Sequence, residues 1–256
     1  MKNKTINTHR TTFLNTYLDN LSASEAKNIV DQMIQEKGPY YVVTPNSDIV
    51  VKMQEDEELK NICDNADLIL TDGMILVKIS RYLKNPIKER VCMTDFVWDV
   101  CDLAVEKKYK IFLFGGKDEV LKKATDRIKQ KYKDINIVDS YSPPMGFENN
   151  EAQLEYAVNR IKNSNADILI VFLGCPKQEK FIFNNMQKYN IPISIPMGGC
   201  VDFIAGSVKR APLWMQNVGL EWFYRFLQEP KRMFKRYFID DVKIFKLVRK
   251  YKNEQK

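Results

Sequence analysis

Apolar residues follow two patterns along the chain. Short continuous runs, such as 110–114 and 168–173, show no alternation with polar residues. Such runs predict strands that are buried on both faces, as in a parallel sheet. Between them, apolar residues recur every three or four positions, which predicts amphipathic helices. Because the two patterns alternate, we predict an α/β fold with a Rossmann-like, mostly parallel sheet and helices on both faces.

Turn and capping residues place the boundaries of these elements. Ser22 and Glu25 form a capping box that begins the first predicted helix, and the residues before it are interpreted as a polar leader. The predicted strands cover 40–43, 68–71, 110–114, 135–139, 168–173 and 192–196. The predicted helices include 48–61, 74–83, 118–132 and 151–162.

Glycines and polar residues directly follow five of the predicted strands. Because parallel strands share one direction, these residues are expected to meet at one edge of the sheet, where α/β proteins bind ligands. At Asp72 two interpretations are open, since its carboxylate can cap the next helix or face a ligand. The convergence of five strand ends favours a site. The residues are Thr44 and Asn46, Asp72 and Gly73, Gly115 and Gly116, Gly174 and Gln178, and Gly198 and Asp202.

The composition changes near Ser207, so we predict an α/β catalytic domain over 1–206 and a helical appendage over 207–256. From Lys209 onward there are 13 Lys and Arg and 5 Asp and Glu, a local net charge of +8, whereas the rest of the chain carries −1. A basic helix with aromatic residues predicts binding to an anionic membrane surface. Its predicted apolar stripe consists of Phe234, Tyr237, Phe238, Val242, Phe245 and Val248.

Composition and motifs exclude several other classes of protein. The chain has one histidine, His9, which argues against a histidine triad or a zinc site. Its five scattered cysteines are interpreted as reduced thiols, mostly in the core. The polar start and the absence of a long apolar run predict a cytoplasmic protein without a signal peptide or membrane span.

The candidate chemistry follows from what remains at the sheet edge. There is no phosphate-binding P-loop, dinucleotide fingerprint or D-x-D metal clamp. Carboxylates, amides and glycines beside an arginine-rich segment suit transfer of a group from a donor that carries a diphosphate, with a carboxylate as general base. We therefore expect an enzyme that needs neither a metal nor another cofactor.

Taken together, these motifs resemble the WecG/TagA/CpsF family of bacterial glycosyltransferases. The resemblance extends from about residue 40 to residue 237. The motifs that carry it are 44–46 (TPN), 71–73 (TDG), 174–179 (GCPKQE), 198–203 (GGCVDF), 205–206 (AG), 210–212 (RAP), 221–222 (EW) with Arg225, and 229–230 (EP) with Arg232, Arg236 and Tyr237.

The resemblance implies an inverting enzyme that moves a sugar from a UDP-sugar to a polyprenyl-diphosphate-linked N-acetylglucosamine acceptor. Teichoic acid and surface-polysaccharide synthesis are the typical settings, and the donor sugar would be N-acetylmannosamine or a related hexose. The enzyme would act as a peripheral protein at the inner face of the cell membrane. Whether it forms a homo-oligomer there is left open.

The resemblance also assigns roles to residues. It implies that Asp72 is the general base that deprotonates the acceptor hydroxyl. Met93 stands where the family usually has a glycine, so no role follows for Thr94 and Asp95. The other implied site residues are Thr44, Asn46 and Gly73 around the base, Arg90 and Gln178 at the acceptor or the donor diphosphate, Gly198, Gly199 and Asp202 at the nucleotide sugar, and Arg225, Arg232 and Arg236 in the appendage.

Two alternatives stay open at this stage. The basic aromatic segment could bind nucleic acid, with the α/β domain as a scaffold. That hypothesis leaves the polar residues at five strand ends unexplained, so we predict no nucleic-acid partner. The enzyme could instead use a soluble acceptor, and the basic segment would then be a subunit interface.

Overall fold

The computed structural model describes residues 8–254, in which strands and helices alternate as predicted. The strands are β1 (Arg10–Phe13), β2 (Thr16–Asp19), β3 (Tyr40–Val43), β4 (Leu68–Ile69), β5 (Lys110–Gly115), β6 (Asn136–Tyr141), β7 (Ile168–Phe172) and β8 (Ile193–Pro196). The helices of the α/β region are α1 (Ala23–Gln35), α2 (Ser47–Lys52), α3 (Glu57–Asp64), α4 (Met74–Tyr82), α5 (Met93–Lys107), α6 (Asp118–Lys131), α7 (Glu151–Asn163), α8 (Lys177–Tyr189) and α9 (Cys200–Ile204).

Six of the strands form one sheet in the order β4-β3-β8-β7-β5-β6, and every neighbouring pair is parallel. All five residues of β7 are buried, because helices cover both faces of the sheet. Val43 and Phe114 point toward the face that packs on α2, α3, α4, α7 and α8, whereas Val42 and Leu113 point toward α1, α5, α6 and α9. The predicted Rossmann-like α/β fold is confirmed.

The predicted polar leader contains an element that the sequence patterns did not indicate. β1 and β2 form an antiparallel hairpin beside β4. Asp19 Oδ2 accepts a hydrogen bond from the backbone N–H of Ile69 at 2.7 Å, and Arg10 donates to the carbonyl of Ala66 at 2.9 Å. The hairpin therefore covers the edge of the strand that leads to Asp72, an edge that would otherwise be open to pairing.

The predicted helix over 48–61 is wrong, because the segment folds as the separate helices α2 and α3. The Asp56 carboxylate accepts the backbone N–H of Leu59 at 2.9 Å and begins the second helix. An N-terminal cap within an apolar periodic segment starts a new helix there.

The C-terminal segment forms α10 (Leu213–Asn217), α11 (Glu221–Gln228), α12 (Pro230–Phe234), a π-helix (Lys235–Asp240) and α13 (Lys243–Glu254). The single apolar stripe predicted here is wrong. Val248 is buried in the core with Ile244, whereas Phe234, Phe238 and Phe245 are exposed. The π-helix changes the number of residues per turn, so positions on either side of it no longer share one face. Among the helices described, none combines the length and apolar composition that crossing a bilayer requires.

Candidate active site

A cleft of about 860 Å³ opens at the carboxyl ends of β3, β4, β7 and β8. In the sheet, β3 lies between β4 and β8. The chain continues from β3 to β4 on one side, whereas the strands on the other side of β3 come later in the sequence. Thr44 and Pro196 are joined across this point by a hydrogen bond of 3.4 Å from the Thr44 hydroxyl to the Pro196 carbonyl. Such a change of direction in strand order leaves a crevice at the sheet edge, as expected from the sequence.

Most of the predicted residues line this cleft, but three of them do not, and the side chain of a fourth is not described. Asp202 is not among the residues that line it, and its carbonyl accepts the backbone N–H of Ser207 at 2.9 Å. Gly115 ends β5 and Gly116 follows it, but neither lines the cleft, so four strand ends meet there rather than five. The side chain of Arg232 is outside the described part of the structure. The predicted residues that do line the cleft are Thr44, Asn46, Asp72, Gly73, Arg90, Gly174, Gln178, Gly198, Gly199, Arg225 and Arg236.

Asp72 presents its carboxylate to the cleft and does not cap the next helix. The N-cap of α4 is Gly73, which makes no side-chain capping bond. The backbone N–H of Asp72 donates to the Pro45 carbonyl at 2.9 Å, which fixes the turn after β4. Its carboxylate accepts the backbone N–H of Met93, the first residue of α5. Asp72 therefore does not cap α4, the helix that follows it in the chain, although its carboxylate bonds to the start of α5.

Burial raises the pKa of Asp72 to about 6, and the charges around it act in both directions. Arg90 lowers this pKa most, followed in smaller measure by the Met93 N–H and by Arg236, whereas Glu221 raises it. A carboxyl group with a pKa near 6 is ionised at neutral pH and is a stronger base than an ordinary aspartate.

Arginines from the C-terminal segment reach the cleft opposite the strand ends. The Arg225 guanidinium lies over the Phe203 ring at 4.7 Å and forms an ion pair with Glu229 at 3.2 Å. Arg236 comes from the π-helix, and its buried Nε has no hydrogen-bond partner among the described residues. A buried guanidinium N–H without a partner suits an anionic ligand.

Two predicted amide residues already bond to the protein. The Asn46 side chain accepts the backbone N–H of Ile49 at 3.1 Å and caps α2. Gln178 Oε1 accepts the backbone N–H groups of Gly174 at 3.2 Å and Gly198 at 3.0 Å, and so ties the loops after β7 and β8 together. Its Nε2 donates to Glu179 at 2.9 Å. Both residues shape the cleft, and their predicted substrate contacts stay predictions.

The comparison with known proteins agrees with the geometry. A sequence model of the glycosyl transferase WecG/TagA/CpsF family matches residues 11–256. The chain belongs to this family of glycosyltransferases. It is 32% identical over 233 residues to the N-acetylglucosaminyldiphosphoundecaprenol N-acetyl-beta-D-mannosaminyltransferase of Bacillus subtilis (strain 168), covering 91% of this chain and 86% of that protein.

Further relatives of this family member carry the same name. The protein of Bacillus spizizenii is 30% identical over 198 residues, covering 77% of this chain and 74% of the relative. The protein of Staphylococcus aureus (strain MW2) is 29% identical over 199 residues, covering 78% and 76%. The family suggested by the sequence motifs is thus confirmed, and the enzyme class with it.

The structure also locates residues of this glycosyltransferase that had no role assigned from the sequence. Glu221 and Trp222 line the cleft, although the sequence marked them only as parts of a motif. An acidic residue within a basic segment was the available signal for Glu221. Thr94 lines the cleft, with its hydroxyl 3.0 Å from Cys92 Sγ. No group of three or more His, Cys, Asp or Glu within residues 8–254 is arranged to hold a metal ion, and metal independence stays a prediction.

Proposed function

We propose that this glycosyltransferase moves N-acetylmannosamine or a related hexose from a UDP-sugar to a polyprenyl-diphosphate-linked N-acetylglucosamine, with inversion at the anomeric carbon. The relatives in Bacillus and Staphylococcus support the proposal, because their names specify an N-acetylmannosaminyl group and an N-acetylglucosaminyl-diphosphoundecaprenol acceptor. The reaction would belong to the synthesis of teichoic acid or a surface polysaccharide.

One observation carries the mechanism, namely the Asp72 carboxylate with its pKa near 6 in a cleft that arginines line. Asp72 takes the proton of the acceptor hydroxyl as the hydroxyl oxygen attacks the anomeric carbon. The bond from that carbon to the diphosphate oxygen breaks, and its electron pair leaves with UDP. Inversion requires the base and the leaving group on opposite faces of the sugar, so a single carboxylate is sufficient.

The negative charge that develops on the leaving diphosphate needs compensation. Arg225 and Arg236 line the cleft on the side of the C-terminal segment, and the buried Nε of Arg236 is available as a donor. Hydrogen bonds between guanidinium and phosphate are about twice as strong as neutral ones. We therefore assign the diphosphate to these arginines, without a metal or another cofactor.

We further propose that residues 207–256 form an appendage to the catalytic domain and hold the enzyme at the inner face of the cell membrane. Large apolar side chains of this segment are exposed, including Trp214 at 62% and Leu227 at 59%. Exposed apolar side chains among basic residues suit the interface of an anionic bilayer. A lipid-linked acceptor would then reach the cleft from the membrane.

The test of the proposal is the Asp72→Asn variant, assayed for UDP release from UDP-N-acetylmannosamine with a short-chain lipid-diphosphate-N-acetylglucosamine acceptor. General-base catalysis contributes about 10²–10⁴-fold, and we expect a loss of that size with UDP binding retained. Asp139→Asn is the matched control, because Asp139 of β6 pairs with Arg160 of α7, away from the cleft. Near-normal turnover of Asp72→Asn would show that the base is another group.

A further inference from the structure

Glu221 lies between two arginines beside the proposed base. Its Oε2 accepts a hydrogen bond from Arg90 at 3.0 Å, and its Oε1 accepts one from Arg210 at 3.2 Å. Arg210 in turn donates to Asp95 Oδ2 at 2.6 Å. Both carboxylate oxygens of Glu221 therefore accept hydrogen bonds from arginines of the protein. Glu221 links these arginines and does not act as a second base.

We propose that Glu221 is a positioning residue, which holds the Arg90 guanidinium and offsets its charge so that Asp72 keeps its strength as a base. This inference rests on the proposed role of Asp72. An arginine next to a carboxylate stabilises the ionised form and makes the carboxylate a weaker base. A glutamate bonded to the same arginine opposes that effect and adds repulsion of its own.

Glu221 acts on the pKa of Asp72 in the direction opposite to the arginines. The charged groups that act on Asp72 are Arg90, Glu221 and Arg236. Glu221 is the one carboxylate among these three, and it comes from α11 in the C-terminal segment. Cys92 and Cys200 also face Asp72. Asp241 has a pKa raised to about 6 by burial, but Glu221 is not among the groups that act on it, so its titration should be the same in a Glu221 variant. The other charged and titratable groups that line the cleft are Asp48, Lys52, Lys78, Cys175, Arg225, Lys235, Tyr237 and Asp240.

Partial burial strengthens the interaction between Arg90 and Glu221. The side chains of Arg90 and Glu221 are 16% and 19% exposed, so salt screens their charges less than it would screen charges at an open surface. Glu221 is the first residue of α11, and the start of that helix fixes where its carboxylate lies. Removing this one charge should therefore change the protonation of Asp72 without removing any atom from the base.

The experiment is the pH dependence of kcat and kcat/KM for Glu221→Gln, measured with the same two substrates. We expect the acidic limb, near pH 6 in the native enzyme, to move down by about one pH unit. The rate on the plateau should fall severalfold, because the base is weaker. Glu221→Asp keeps the charge and should return the limb toward its native position.

Asp95→Asn is the matched control. It removes the other carboxylate that holds Arg210 but leaves the pair of Glu221 with Arg90 in place. We expect its acidic limb to coincide with that of the native enzyme. Equal displacement of the limb in Asp95→Asn and Glu221→Gln would overturn the proposal, since loosening of α11 would then explain both. An unmoved limb in Glu221→Gln would overturn it as well.

These outcomes separate the two proposals. If Asp72→Asn is inactive and Glu221→Gln has the native pH profile, the base assignment stands and the role of Glu221 falls. If Asp72→Asn stays active, the proposed function fails whatever Glu221→Gln does.

Discussion

β7 and α11 each contain five apolar or aromatic residues but use them in opposite ways. All five residues of β7 are buried, and among the eight residues of α11, all of them described, none is buried. The difference lies in what covers each element. β7 is enclosed by neighbouring strands and by helices on both faces, whereas no residue of α11 belongs to either buried core cluster. Apolar content alone therefore does not indicate burial.

The C-terminal segment is nevertheless anchored to the protein. Ile244 and Val248 of α13 belong to the same core cluster as Phe114 of β5, and Met233 is also buried. Between these anchors, aromatic side chains such as Phe245 remain exposed to 56%. The segment thus has one set of apolar residues for the protein and another that remains free for a different environment.

The largest effect should come from opening the core. Phe114 is fully buried and stacks on Phe181 with ring centroids 4.7 Å apart. Phe114→Ala should lower the free energy of unfolding by about 3–5 kcal/mol, because it removes contacts and leaves a cavity. Leu227→Ala, on the exposed side of α11, should change it by less than about 0.5 kcal/mol. Urea denaturation measures both, and comparable losses would contradict the contrast between the two regions.

The second effect concerns the membrane. Combined replacement of Leu213, Trp214 and Leu227 by serine should lower binding to vesicles that contain anionic lipid by tenfold or more, since each buried apolar side chain contributes roughly 1.5–3 kcal/mol. Sedimentation with vesicles measures this binding. The control replaces Met145 and Tyr156, which are also exposed but lie in the α/β region. If the control loses as much binding, the exposed residues of the appendage are not the membrane contact.

The smallest effect concerns Asp72, a buried carboxylate in an α/β region that is otherwise filled mostly with apolar side chains. Its pKa is about 6 in the folded protein and 3.8 in an unfolded chain, so the folded state binds more protons between these values. Ionisation of Asp72 therefore costs stability as pH rises through this window, and the full cost is present above pH 6. Asp72→Asn should raise the free energy of unfolding at pH 8 by about 1–3 kcal/mol and change it little at pH 4.

Thermal or urea unfolding of Asp72→Asn at the two pH values measures this difference. Asp241 also has a pKa raised to about 6 by burial, but it is present in both proteins and cancels in the comparison. A variant that is inactive and yet more stable would show that the position is kept for function. Equal stability at pH 8 would mean that the native site already compensates the charge of Asp72.

The sequence predicted the six strands of the sheet well, because a strand buried on both faces leaves a run of apolar residues that needs no partner to be recognised. The β1–β2 hairpin was missed because its short strands mix threonine, tyrosine and charged residues. Their pairing is stabilised by Asp19 and Arg10 bonding to the β4 region, and no local pattern encodes a contact between residues fifty positions apart.

For the site, the sequence by itself determined which residue types stand at the strand ends. Parallel strands made their convergence predictable, so Thr44, Asp72 and Gly198 could be expected together. Tertiary structure decided what each of them faces. It placed Gly116 outside the cleft, occupied the Gln178 amide with backbone groups, and brought Glu221 to Arg90 across 131 positions of the chain. Burial and charge pairing depend on distance in space, and that distance is fixed when the C-terminal segment packs over the sheet edge.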